Sequence, residues 1–363
     1  QYFGAGRKAD VHDAIHTAYA FALVGGVILT VLGIAFSTPL LSIMNTPEDI
    51  FADSDIYLKI YFMSLVFMFV YNIGSGILRA LGNSRTPLHF LIACSLINIV
   101  LDFVFVLGLG LGVTGVAIAT FLSQLISAIA ITVYLMKDEN CQLDLRKIRF
   151  KRNILANQLK IGIPGGIQST MYSLSNIIVQ TAVNAYGTMV MAGWASDVKI
   201  ESIFWLLENS LGIAITTFVG QNYGAGKKDR IIKGTRICLV MFIMMAVTIS
   251  VLFAIFRYPL IGLFTSNEEA IEVGAQMIIY ITPFYFLFAF VEVLSGTLRG
   301  MGDVFIPTII TMVCVCAVRV LWVLFVAPLF PGLICLEILY PITWGTASVA
   351  FIIYYLARKR KWA

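Results

Sequence analysis

Carboxylates that interrupt long apolar runs are the residues of this sequence best placed to do chemistry. Asp197, Glu201 and Glu208, with Lys199, lie within one apolar stretch, residues 190 to 217, and Glu292 lies within another, residues 272 to 296. A charge at the centre of a bilayer-spanning helix costs about 2.5 to 3.5 kcal/mol on insertion scales, so each must be compensated. At about 100° per residue, Asp197, Glu201 and Glu208 fall at roughly 0°, 40° and 20°, one narrow stripe, while Lys199 falls near 200°. Such a stripe faces a bundle interior or a water-filled cavity, where carboxylates can take up a proton, a cation or a cationic substrate. Asp197 and Lys199 have an alternative place near the outer headgroups, where charge costs little. Glu292 precedes Arg299 by two helical turns, and its alternative role is a structural ion pair with a neighbour such as Lys199 or Arg319. Asn98 and Asp102 share a helix face at i and i+4, a spacing that favours interhelical hydrogen bonding.

The elements that must hold these residues are membrane helices. Hydrophobic residues make up 59% of the 363 positions and charged residues only 12%, against roughly 25% charged in a soluble domain. Mean hydropathy is +0.90. Stretches long enough to cross a bilayer fall near 14–36, 57–78, 88–110, 113–136, 160–183, 190–217, 234–256, 272–296, 305–328 and 334–357. The fold class is therefore an all-α polytopic membrane protein. Its net charge of +5 sits in short clusters between apolar runs, as the positive-inside rule requires, and implies no nucleic-acid partner. Basic segments at Arg7-Lys8, Arg79 with Arg85, Arg146 to Arg152, Lys227 to Arg236 and Arg358 to Lys361 alternate with acidic ones at Glu48 to Asp55 and Glu268 to Glu272. That alternation predicts a cytoplasmic linker over 137–159 and a cytoplasmic C-terminus. The linker divides an N-terminal lobe, 1–136, from a C-terminal lobe, 160–363, and its basic stretch could form a surface helix or a solvated connector.

The two lobes carry an internal repeat. Gln1-Tyr2-Phe3-Gly4-Ala5-Gly6 recurs 220 positions later as Gln221-Asn222-Tyr223-Gly224-Ala225-Gly226, and the register holds to Leu78-Arg79 against Leu298-Arg299 and Pro87 against Pro307. A repeat this long is half a molecule, which in a membrane chain points to two pseudo-symmetric bundles and a transporter. In the second half two apolar spans, within residues 154 to 220, precede Gln221 and none precedes its equivalent Gln1, so the repeat predicts two further helices before Gln1 and a chain that is a fragment.

Other features have plainer readings. The QxxGAG loops lack the GK[ST] end of a phosphate loop, and their glycines suit tight turns between helices. The six cysteines lack paired CxxC spacing and read as small core residues, and His12 with His16 forms no metal motif but an interfacial helix start. No nucleophile has its base, which disfavours an enzyme. Pro164, in the Ile161-to-Gly166 run, and Pro283, after Thr282, favour bends within spans.

With its two QxxGAG motifs, the repeated Leu-Arg at Arg79 and Arg299, and Gly112-Val113-Thr114-Gly115-Val116-Ala117, the whole chain resembles the multidrug and toxic compound extrusion (MATE) family. The resemblance implies twelve helices in two six-helix lobes, of which ten would be present here. It implies export of cationic or amphiphilic small molecules across the plasma membrane in exchange for protons or sodium ions, by a monomer without a cofactor or resident metal. The family's coupling residues do not carry over. A first-helix acid would lie before Gln1, the early seventh-helix carboxylate is matched by Gln168, and the tenth-helix aspartate by Phe288. Glu201, Glu208, Glu292 and Asp197 are the candidates that helix geometry offers instead. A flippase for lipid-linked oligosaccharides would need cationic side chains for a pyrophosphate, whereas the in-span charge is mainly acidic. A non-transporting membrane scaffold is the third alternative.

Overall fold

The computed structural model describes residues 1–330 and 332–360, and all regular structure among them is helical. Lys361, counted above with the basic C-terminal segment, lies outside the described residues. The elements are α1 (Lys8–Ile43), α2 (Glu48–Ala80), α3 (Arg85–Asp102), α4 (Gly112–Lys137), α5 (Arg152–Asn184), α6 (Thr188–Gly224), α7 (Lys228–Gly262), α8 (Glu268–Ile281), α9 (Tyr285–Gly300), α10 (Phe305–Thr311), α11 (Val318–Leu321) and α12 (Leu333–Arg360). Nine helical segments among the described residues are long and apolar enough to cross a membrane. The tenth expected span, 160–183, lies within α5, whose polar face of Gln168, Ser169, Thr170, Ser173, Asn176 and Gln180 keeps it outside that set. Large apolar side chains such as Val31, Phe36, Leu96, Phe103, Leu206 and Ile255 stand exposed, which in a soluble protein would be a liability and in a bilayer is the lipid-facing surface.

The repeat seen in the sequence is a repeat of structure. The starts of α1 and α7, of α2 and α8, and of α3 and α10 are each 220 positions apart. The backbone repeats too: Gly6 and Gly226 have φ of 70° and 69°, and Gly82 and Gly302 have 91° and 87°. A left-handed conformation of that kind is open to glycine and strained for other residues, so the second glycine of each QxxGAG is required by its turn. Even the departures from α-helical winding recur, with π-helical turns at Phe103–Gly108 and Trp322–Val326. A further π-helical turn, Met312–Ala317, belongs to the second copy alone.

Packing separates the chain into two compact units, one covering Tyr2 and Gly6–Gln158 and the other running from Leu159 onward together with Gln1 and Phe3–Ala5. In the first unit α2 packs against α1 and α4, and α3 against α4. The linker after α4 is not the basic surface helix that its composition allowed. It is a strap with one short 3-10 turn, Leu145–Lys147, and α5 begins at Arg152, earlier than the expected 160. The start of α1 holds this strap: His12 Nε2 lies 3.1 Å from Gln142 O, His16 Nε2 accepts from Asp144 N at 3.1 Å, Gln158 Nε2 donates to Ala14 O at 3.0 Å, and Asp13 pairs with Arg149 and Lys151. The two histidines are thus anchors for the strap as well as a helix start. Burial in that strap pushes the Cys141 thiol up to about 12, in keeping with an inert core cysteine. Among the described residues Asn98 Nδ2 and Asp102 Oδ1 are buried without a partner, so the hydrogen bonds expected of these atoms are not seen there.

In the second unit α6 is the central helix, packing on α7, α8 and α9, while α12 packs on α8 and α9. Glycines let the backbones approach: a Cβ at Gly193 would stand 2.6 Å from Ala270 O, and one at Gly300 2.7 Å from Thr216 O. Pro283 divides the expected 272–296 span into α8 and α9 through a 3-10 turn, Thr282–Phe284. Pro164 produces no such break, because α5 runs on through it.

Candidate functional site

The site forms where α6 turns its acidic stripe inward. Asp197, Glu201 and Glu208 are 1%, 9% and 7% exposed, while Lys199 points outward with its ammonium 5.1 Å from the Phe264 ring centroid. Asp197 is enclosed by protein. Glu201 and Glu208 line a cavity of about 460 Å³, whose walls include Trp194, Trp205, Tyr340 and Trp344. The cavity lies wholly within the second unit.

Each carboxylate has a different environment. Glu201 Oε1 accepts from Tyr285 Oη at 2.7 Å and Oε2 from Trp205 Nε1 at 3.4 Å. The Tyr285 ring stacks on Phe204 with centroids 3.8 Å apart, so the donor is fixed by packing before any ligand arrives. Glu208 faces the carboxylate of Glu292. Glu292 is not paired with Lys199 or Arg319, the neighbours expected above. Its Oε1 accepts from Arg299 Nη2 at 2.9 Å, one helix bonding its own residues at i and i+7, and Gly212 leaves the room for it: a Cβ there would lie 2.0 Å from Glu292 Oε1. Sequence periodicity underrated this pair because two helical turns exceed the usual i, i+4 reach, and only the length of the arginine closes it.

Arg319, 3% exposed, has a role that the sequence did not reveal. Its Nη1 donates to Asn176 Oδ1 at 2.8 Å, and its guanidinium stands 4.6 Å from the Tyr340 ring centroid and 5.7 Å from that of Tyr172. An amide and two aromatic faces thus carry the charge, and none of the acidic side chains neutralises it by direct contact among the described residues. Glu337 on α12 was missed altogether. It is fully buried, and the signal was available, since it is a lone carboxylate within the 334–357 span.

The remaining candidates are structural or distant. Gln168 lies outside the cavity lining and its Oε1 accepts from Thr308 Oγ1 at a long 3.5 Å. Gln1 Nε2 donates to Gly300 O at 2.9 Å. A Cβ on Gly4 would lie 1.9 Å from Gln221 O and one on Gly224 1.9 Å from Gln1 O, so the two QxxGAG motifs clasp each other reciprocally and neither glycine can carry a side chain. Arg79 ends α2, where a cation complements the helix dipole, and Asp102 ends α3. No group of three His, Cys, Asp or Glu among the described residues could hold a metal ion.

An acidic, aromatic cavity inside a bundle of membrane-length helices, in a chain whose α1 to α4 recur as α7 to α12, defines a multi-pass membrane transporter. The MatE family model matches residues 1–104 and 164–325, and the chain belongs to that family of transporters. It is 30% identical to the probable multidrug resistance protein YoeA of Bacillus subtilis, over 88% of this chain and 71% of that protein. To the probable multidrug resistance protein NorM of Thermotoga maritima it is 28% identical, over 87% of this chain and 69% of that protein. Among solved structures, a multidrug resistance MATE family transporter of the MOP superfamily, in an outward-facing conformation, shares the fold with a TM-score of 0.91 at 21% identity, over 99% of this chain and 81% of that one.

Proposed function

We propose that this protein is a secondary active exporter of cationic or amphiphilic small molecules, working as a monomer in the plasma membrane by antiport with protons or sodium ions. The observation that carries this reading is the cavity itself, which sets two carboxylates, Glu201 and Glu208, among tryptophan and tyrosine rings. Rings offer a flat organic cation both contact area and the attraction of their π faces, and the carboxylates supply the counter-charge. Arg319 adds one positive group to the wall, held on Asn176, and could orient a neutral or acidic part of an amphiphile. The multidrug resistance relatives support the same class of substrate.

The division into two helical lobes joined by the 137–159 linker belongs to this proposal, as does a cytoplasmic side carrying the QxxGAG loops, the linker and the C-terminus. Cysteines introduced near Arg149 or Lys228 should be silent to a membrane-impermeant thiol reagent in intact cells, and those near Asp53 or Glu269 reactive. Reversed labelling would invert the topology.

Efflux of a fluorescent organic cation from cells or proteoliposomes, driven by an imposed pH or sodium gradient, tests the function. Glu201→Gln and Glu208→Gln should each lower efflux at least about tenfold, the size of a loss of about 1.4 kcal/mol. Normal export in both variants would overturn the assignment of the site. Translocation of a lipid-linked oligosaccharide without cation efflux would identify a flippase, and failure of both assays a scaffold.

A further inference from the structure

Asp197 and Glu337 lie beside the cavity without lining it, and both oxygens of each carboxyl group are buried with no hydrogen-bond partner among the described residues. Their side chains are 1% and 0% exposed. The two helices that carry them meet at this level: Trp194, one turn before Asp197 on α6, and Tyr340, one turn after Glu337 on α12, have ring centroids 6.2 Å apart. Asp197 is within electrostatic reach of Glu337 and of Glu201. The groups facing the pair can be named element by element. Glu201 stands on α6, Tyr285 on α9, Tyr340 on α12, and Gln276 on α8 faces Glu337 without reaching hydrogen-bond geometry. Arg319 on α11 reaches Glu201 and Tyr340 electrostatically, with its guanidinium committed to Asn176. Among the described residues no cation therefore touches the pair. Two buried ionised carboxylates within electrostatic reach of each other and without a counter-charge are strongly unfavourable. A bare metal ion would need several oxygen ligands, and the described residues assemble no such group.

We propose that Asp197 and Glu337 form a proton-binding site adjoining the aromatic cavity, with at least one of the two present as a carboxylic acid in this conformation. The site binds one proton to a carboxylate oxygen and returns it to water. Only its use in transport rests on the exporter reading above. Asp197 precedes Glu201 by four residues, one helical turn or about 6 Å of rise, so a cationic substrate at Glu201 brings positive charge one turn from Asp197 and favours proton release. Substrate and proton then exclude each other, which is the condition for exchange.

Infrared difference spectra of the purified protein in lipid, recorded in H2O and D2O, report buried protonated carboxyl groups through their C=O stretch. The expected result is a band that loses intensity in Asp197→Asn and in Glu337→Gln, and that shifts but survives in Glu337→Asp. Asn and Gln match the shape of the protonated acids, and retention of a monodisperse elution profile checks that the variants fold. An unchanged band in both variants would overturn the proposal. So would a sodium-dependent rise in thermal stability that both variants abolish, since it would assign the pair to a metal ion. In transport, Glu337→Gln should bind the fluorescent cation within about twofold of the parent protein and lose at least about tenfold of pH-driven efflux. If the band behaves as expected but no variant and no parent protein exports cations, the proton site stands and the exporter reading falls.

Discussion

The two copies of the repeat share a backbone and differ in chemistry. At the 220-residue offset, Glu337, Tyr340 and Trp344 of α12 correspond to Ala117, Thr120 and Gln124 of α4. Glu292 and Arg319 correspond to Asn72 and Ile99, and Phe288 to Met68. Asn72 donates to its own helix at Met68 O, while Glu292 reaches Arg299 and meets Glu208. The helix itself differs as well: α2 runs unbroken for 33 residues, whereas its counterpart is divided at Pro283. One scaffold therefore recurs, and the second copy places charge at Glu292, Arg319 and Glu337 where the first has Asn72, Ile99 and Ala117. The lesson is that a repeat transmits turns and helix ends, where geometry permits few residues, more faithfully than it transmits the side chains lining an interior.

The largest effect that tests this asymmetry is at the aromatic wall. Trp344 is fully buried against Trp205, Tyr285, Phe288 and Tyr340, so Trp344→Ala should destabilise the protein by about 3 to 5 kcal/mol, seen as a fall in detergent Tm. Gln124→Ala at the matching position of α4 should cost less than about 1 kcal/mol. Equal losses would mean that the copies are energetically alike. Next comes Glu292→Asn, which gives the second copy the residue of the first. It leaves Arg299 without its carboxylate, and because the pair is part-buried we expect a loss of about 1 to 3 kcal/mol, restored in part by Arg299→Met in the same chain.

A smaller effect is expected at the break. Pro283 occupies the first turn of its 3-10 segment, a position that tolerates proline, so Pro283→Ala should move stability by no more than about 1 kcal/mol while letting α8 run toward α9. A spin-label distance across residues 272 and 296 should lengthen; an unchanged distance would show that packing and not proline sets the bend. The smallest effect concerns the strap between the copies. The backbone N–H of Arg146, with Lys147, holds the Asp144 carboxyl below its usual range. Its folded value lies below the unfolded one of about 3.9, so its contribution is complete above that pH and is lost as pH falls through the folded value. Hydrogen exchange at residues 145–147 should accelerate in that acid window, and Asp144→Asn should remove the pH dependence. Lys199→Ala, by contrast, should cost less than about 1 kcal/mol, since the side chain is exposed and its contact is one aromatic ring.

The sequence by itself determined the all-helical membrane class, the 220-residue repeat and the inward face of α6. Each follows from a local rule: hydropathy over bilayer length, recurrence of motif residues, and the angular position of charges on a helix. It also held the signal for Glu337, a lone charge in an apolar span. Only the tertiary structure decided the partners. Arg299 and not Lys199 or Arg319 meets Glu292, and Gly212 on another helix leaves room for the Glu292 carboxylate. Arg319 rests on Asn176, 143 residues away, and His16 accepts from Asp144, 128 residues away. Gln168, a candidate only through the family resemblance, falls outside the cavity. A helix face says which residues must turn away from lipid, but which of them meet depends on how neighbouring helices cross, and that is fixed by packing over the whole unit.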